Sequence, residues 1–211
     1  MTHRDTFNNE KYQYHFLFLV TLTFILLLNP LVAFCDSINP GDKAQNLLGN
    51  DAMSGNRVNL FMAMTELQFK RDDRGFLVIE NGKYINEFVR NVVVLNFFSR
   101  VCIPCIREIP VFNRIAKKYG NNHVKFLYIN VDPDLSQEQA QQFIKNYHIE
   151  VPMMLCNQAE AIRKYDAATL PRLYVIDQKK RISHIFKGLD ENLESELIDI
   201  IDKLLKNPIE P

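Results

Sequence analysis

The sequence predicts an α/β fold, and three observations carry that prediction. A β-branched apolar run, Val92–Phe98 (VVVLNFF), has the composition of a strand buried on both faces. After a short turn, Ser99-Arg100-Val101, apolar residues at Ile103, Ile106, Ile109, Phe112, Ile115 and Ala116 follow the spacing of an amphipathic helix. A second buried run, VKFLYINV at 124–131, comes after Gly120-Asn121-Asn122. Strand, helix and strand with short joints make a right-handed βαβ unit with parallel strands.

The amino terminus is of a different kind. Residues 1–15 are polar, with Arg4, Lys11 and His15, and residues 16–28 are apolar except for Thr21 and Thr23. Asn29-Pro30 and a second apolar stretch, 31–34, follow before charge returns at Asp36. The first run has the length of a signal peptide, and the whole 16–34 span is just long enough to cross a bilayer. Cations ahead of an uninterrupted apolar run favour export over a buried core helix. The expected N-terminal hydrophobic helix in 1–35 is therefore a cleaved leader or a retained inner-membrane anchor. The remainder then faces the periplasmic side of a cell envelope. Residues 31–35 (LVAFC) also resemble a lipoprotein cleavage site with Cys35 lipidated, although Phe34 stands where that pattern has a small residue.

Residues 36–59 are rich in Asn, Gly, Asp and Ser and, with the weakly helical 60–69, are expected to form a tether or entry segment over 36–70. The folded domain is then 71–211. Residues 76–80 and 83–88 flank Asn81-Gly82, the signature of a two-residue hairpin turn, and are expected to add an edge to the sheet. Ser136 is a candidate N-cap for a helix over 137–147, followed by a short strand at 151–155 and a helix at 158–165. Residues 172–177 (RLYVID) and 182–187 form an antiparallel pair. A closing helix runs over 191–205 with apolar residues at Leu193, Leu197, Ile198, Ile201, Leu204 and Leu205.

Lysine plus arginine equals aspartate plus glutamate at 25 each, so no nucleic-acid surface is indicated. The chemistry sits in Cys102-Ile103-Pro104-Cys105. Two cysteines at a helix start directly after a core strand suit reversible thiol–disulfide exchange, because the N–H groups of a helix N-terminus favour a thiolate. Cys102 is then the nucleophile and Cys105, a turn deeper, resolves the mixed disulfide. Arg100 and Arg107 are near enough in sequence to add positive potential, and Pro104 stiffens the turn. Glu108 reads as a first-turn or surface charge within reach of proton transfer. Half of a zinc site is the competing reading of the motif, but Cys35, Cys156 and five scattered histidines lack ligand spacing, and no metal or cofactor is expected. A purely structural disulfide is the other. Cys156 reads as a buried apolar thiol or, less simply, a third redox partner. His123, His148 and His184 read as surface residues.

The order β-α-β-α-β-α-β-β-α, with CxxC opening the first helix and a lone proline before the late hairpin, resembles thioredoxin. Within that fold the chain is similar to the TlpA/ResA-like branch of thiol–disulfide oxidoreductases. The residues that carry the likeness are LNFFSRVCIPC at 95–105, REIP at 107–110, YINVD at 128–132, VPMML at 151–155, KYDAATLPRLYVID at 164–177, and Gly188. The resemblance implies a thioredoxin fold, a central mixed sheet flanked by helices. It also implies a disulfide reductase of envelope proteins, of the kind used in cytochrome c maturation. Its partners would be protein disulfides and a membrane electron donor, and the chain would act as a monomer tethered through its N-terminus. By the same resemblance Val101, Leu170 and Pro171 line the substrate groove, with Pro171 in cis, and Asn96 replaces thioredoxin's buried acid. Val101 stands where the family has tryptophan, and the chain contains none. A copper metallochaperone on the same fold uses CxxxC plus a distant histidine, a spacing this chain lacks; a non-catalytic interaction module is the remaining alternative.

Overall fold

The computed structural model describes residues 37–206 apart from 121. The N-terminal hydrophobic helix, the apolar 16–34 stretch and Cys35 lie outside the described residues. The described residues form one compact unit.

Seven strands make the main sheet, in the order β11-β10-β7-β8-β9-β1-β2. Its centre is β7 (Val92–Phe98), all seven residues of which are buried, beside β8 (Val124–Asn130) in parallel register from Val92↔Val124 to Phe98↔Asn130. β9 (Met153–Cys156) continues the parallel set. On the other side of β7, β10 (Arg172–Ile176) runs antiparallel and pairs in turn with β11 (Ile182–Lys187). β-branched and aromatic residues fill both faces of these strands because helices cover both faces.

Alternation along β7 sends its residues to two cores. Val92, Val94 and Phe98 pack with Ile109, Phe112 and Ile115 of α2 (Ile103–Tyr119), Phe143 of α3 (Gln137–Asn146), and Leu197 and Ile201 of α5 (Leu193–Lys206). Val93, Leu95 and Phe97 pack the other way, with Leu60 and Met64 of α1 (Leu60–Met64) and Ala161 and Tyr165 of α4 (Gln158–Tyr165). Ser136 caps α3 as predicted, in a full capping box with Gln139.

The segment before β7 departs from the expectation in two ways. Residues 36–70 are not a loose tether. They supply β1 (Leu48–Asp51) and β2 (Arg57–Asn59), the edge of the main sheet, and the fully buried Leu47, Ala52 and Leu60. Widely spaced apolar residues pin a polar backbone whose hydrogen bonds go to β9, so composition alone conceals the strands. Gly49 is needed there: a Cβ would come within 2.3 Å of the Leu155 carbonyl oxygen and 2.6 Å of Met154 Cγ. Gly49→Ala is expected to destabilise the fold by about 1–3 kcal/mol in chemical denaturation.

The hairpin is longer than predicted and does not edge the main sheet. Asn81 and Gly82 take positive φ, 51° and 75°, at the turn between β4 (Ile79–Glu80) and β5 (Lys83–Tyr84). Its base is a second two-stranded sheet of β3 (Thr65–Phe69) and β6 (Asn86–Arg90). The helix expected over 60–69 therefore stops at Met64, where Thr65 begins the ladder with Arg90.

Candidate active site

Strand β7 ends at Phe98, and the chain turns through Ser99, Arg100 and Val101 to deliver Cys102 as the N-cap of α2. Cys102 and Cys105 are joined as a disulfide. The Cys105 backbone N–H donates to Cys102 Sγ at 3.3 Å, and no acidic residue occupies the first turn. A helical backbone N–H thus points at the more accessible sulfur, at the positive end of the helix dipole, while Cys105 is buried in the core. On reduction this geometry favours ionisation of Cys102 over Cys105.

The turn is held from the neighbouring strand. Asp132, just past β8, accepts from the Ser99 hydroxyl, the Arg100 backbone N–H at 3.0 Å, Arg100 Nε at 3.2 Å and Asn130 Nδ2 at 3.0 Å. Burial pushes the Asp132 carboxyl upward, but these donors together hold it below its ordinary value. The Arg100 charge is consequently engaged by Asp132, and the field at Cys102 comes chiefly from the helix end; Arg107 is exposed. Asp132→Ala is expected to cost about 1–3 kcal/mol in a denaturant titration, since it leaves the Ser99 and Arg100 donors without their acceptor.

Glu108 is the largest surprise. Expected at the surface, its residue is only 4% exposed, one turn along α2 from Cys105 and on the same face. Asn96, in the middle of β7, points to the same side and donates Nδ2 to Glu108 Oε2 at 3.3 Å. Burial raises the Glu108 carboxyl to about 7; the Asn96 bond opposes this and Asp190 adds to it. The buried Tyr128 hydroxyl is pushed far up, first by burial and then by the Glu108 charge. A carboxyl that titrates near neutrality beside a buried cysteine is suited to taking and returning a proton.

The surface around Cys102 is apolar and open. Val101 is 84% exposed and Ile103 63% exposed. The helical spacing puts Ile103 on the buried face, whereas as the first residue of α2 it stands exposed. Pro104 is also exposed. The Leu170-Pro171 bond is cis. Arg172 pairs with Phe97 in antiparallel register, so Leu170 and Pro171 fall beside the end of β7 and the turn that leads to Cys102. Leu170 is half-buried and packs on the core that holds Cys105. Arg100, Val101, Cys102, Pro104, Leu170 and Pro171 thus lie at or beyond the end of β7, with Cys105 and Glu108 further along α2 and Asn96 within the strand. Ser99, Asp132 and Tyr128 join the site; Ser99 lies within LNFFSRVCIPC and the other two within YINVD, but residue type alone singled out none of them.

Cys156 does not. It is a free thiol in the core on the opposite face of the sheet from Cys105, and burial raises it to about 11. That is the behaviour of an apolar filler, not of a third redox partner. His123, His148 and His184 are exposed, and among the described residues no cluster of three or more His, Cys, Asp or Glu side chains is placed to hold a metal.

Comparison with known proteins agrees with this geometry. The Redoxin family matches residues 83–201, and the chain belongs to it. The thiol-disulfide oxidoreductase ResA of Bacillus thuringiensis is 26% identical over 147 residues, which cover 68% of this chain and 83% of that protein. ResA of Geobacillus kaustophilus is 31% identical over 111 residues, 51% of this chain and 62% of its own. Among solved structures, a protein proposed to be the thiol:disulfide interchange protein DsbE of Chlorobium tepidum superposes with a TM-score of 0.61 at 19% identity, covering 80% of this chain and 99% of that one. The fold is thioredoxin-like, and the chain is a ResA-like thiol–disulfide oxidoreductase.

Proposed function

We propose that the chain is a membrane-tethered, extracytoplasmic disulfide reductase in which Cys102 attacks, Cys105 resolves and Glu108 handles the proton. The observation that carries this reading is the asymmetry of the pair: an accessible sulfur at a helix N-terminus and a buried one beside a carboxyl raised to about 7. The Cys102 thiolate attacks a client disulfide, forming a mixed disulfide and releasing one client thiolate. Glu108 takes the Cys105 proton, and the Cys105 thiolate attacks Cys102 Sγ. The second client thiolate leaves, the Cys102–Cys105 disulfide forms, and two electrons have passed to the client. Val101, Ile103 and the Leu170 backbone form the rim on which an extended peptide lies, with Asn96, Arg100 and Pro104 supporting the turn and the carboxyl.

Residues 1–35 are the leader or anchor in this reading, and a membrane dithiol donor regenerates the reduced form. The client class is a vicinal disulfide, such as the haem-binding CxxCH pair of an apocytochrome c. A rapid-quench assay tests it: reduced protein is mixed with an oxidised CxxCH peptide and free thiols are alkylated. Stoichiometric appearance of peptide thiols with loss of the Cys102 and Cys105 thiols is the expected result. No transfer, together with stoichiometric copper binding by the reduced protein, would replace this reading with metal delivery.

A further inference from the structure

The ribbon of β3 and β6 is built inside out. Its ladder pairs Thr65↔Arg90, Leu67↔Phe88 and Phe69↔Asn86 on one face, and Glu66↔Val89 and Gln68↔Glu87 on the other. The face carrying Glu66 turns inward, where Glu66 forms an ion pair with Lys125 of β8 at 2.8 Å. The face carrying Leu67, Phe69 and Phe88 turns outward, and these residues are 57%, 54% and 76% exposed. A two-stranded ribbon in water normally hides its apolar face against something.

That face is continuous with a basic turn. Phe88, Thr65 and Arg90 line an open groove together with Gln178, Lys179 and Lys180, and Lys180 Nζ stands 5.0 Å over the Phe61 ring. The nearby Asp177 carboxylate is occupied by the backbone N–H groups of Lys179 and Arg181. The entry of the chain is bonded to the same turn: Ala44 N–H donates to the Lys180 carbonyl, and Arg181 donates to the Gly41 carbonyl. In sequence, only Cys35 and Asp36 separate the apolar 16–34 stretch from Ser37, the first described residue.

We infer that the outward face of the β3–β6 ribbon, with Lys179 and Lys180, rests on an anionic bilayer surface. The inference builds on the proposed membrane tether. A stretch held in a bilayer keeps that bilayer within a short chain's reach of residues 41–44, and hence of the basic turn. Exposed aromatic and aliphatic side chains beside lysines have the chemistry of an interfacial contact, apolar groups entering the acyl boundary and cations meeting lipid phosphates. Arg90 and Asn91 precede the start of β7, whereas Cys102 follows its end, so the length of the strand, about 20 Å, separates the disulfide from the base of the ribbon.

The chain has no tryptophan, so single reporters are unambiguous. Full-length protein carrying Phe88→Trp, Leu67→Trp, Glu87→Trp or Val101→Trp is reconstituted into vesicles of phosphatidylcholine and phosphatidylglycerol with brominated acyl chains. Emission from positions 88 and 67 is expected to fall by about twofold or more and shift to the blue, whereas positions 87 and 101 stay unquenched. Lys179→Glu with Lys180→Glu should return the signal at 88 to the level at 101. Vesicle flotation separates the two claims. Protein that floats without quenching at 88 and 67 overturns the lipid contact and leaves the tether standing, while protein that does not float overturns both. A blue shift at 88 that vanishes on dilution and is insensitive to bromine assigns the face to a second copy and also overturns the lipid contact.

Discussion

Cys102→Ser is expected to abolish disulfide reduction, with a loss of roughly 10³-fold or more, because exchange requires a thiolate at the accessible sulfur. The complementary Cys105→Ala chain should still attack. It lacks the resolving thiol, so the client remains covalently bound through Cys102 and is recovered as a mixed disulfide under non-reducing conditions. Cys156→Ala should leave turnover unchanged, since that thiol is buried on the other face of the sheet and burial raises it to about 11. The three variants together separate a catalytic pair from a structural bridge. A structural bridge would predict loss of stability in both active-site variants and no trapped client in either.

Glu108→Gln is expected to have the second-largest effect, and in opposite directions on rate and stability. As the group that accepts the Cys105 proton, its loss should slow release of the mixed disulfide by about 10²-fold while leaving its formation by Cys102 nearly intact. The pH dependence follows from a carboxyl raised from 4.5 to about 7. Below the unfolded value both states are protonated and nothing is lost. As pH rises from there toward 7 the unfolded chain ionises while the folded carboxyl resists, so stability falls and then levels off above the folded value. Glutamine cannot ionise. The variant should therefore be more stable than the natural chain at pH 8, by on the order of 3 kcal/mol, and indistinguishable at pH 4. Thermal melts at the two pH values check the stability arm, and single-turnover kinetics across pH 5–9 check the rate arm. Equal melts at pH 8 would mean that the carboxyl is hydrated and is not the raised acid.

Much of this was legible in the sequence, for local reasons. β7 and β8 announce themselves because strands covered on both faces must be apolar throughout, and α2 because its buried residues recur at the helical period. The cysteines are marked by residue type and by their place at a helix start, whereas Leu170 and Pro171 are marked by the resemblance. What was hidden depends on contacts between distant segments. β1 and β2 are polar strands held by backbone hydrogen bonds to and beyond β9 and by a few buried residues, a pattern that composition reads as loop. Glu108 looks like any charge in a helical first turn; its burial becomes visible only when Asn96 of β7 is brought against it. Ile103 shares the period of the buried residues, but as the first residue of α2 it is exposed. Arg100 was placed near the cysteines by sequence, and Asp132, thirty-two residues later, claims its charge. The ribbon was hidden for the same reason: residues 65–69 read as the end of a weak helix, and only their pairing with 86–90 makes them a strand.

The measurement that bears most directly on the proposed direction of electron flow is the reduction potential of the Cys102–Cys105 pair, read by equilibration with glutathione or dithiothreitol buffers and thiol alkylation. A reductant of envelope disulfides should titrate near −270 mV or below, about where thioredoxin sits. A value near −120 mV, that of a strong oxidant, would mean that the site donates its disulfide to clients instead, and would contradict the reductase reading.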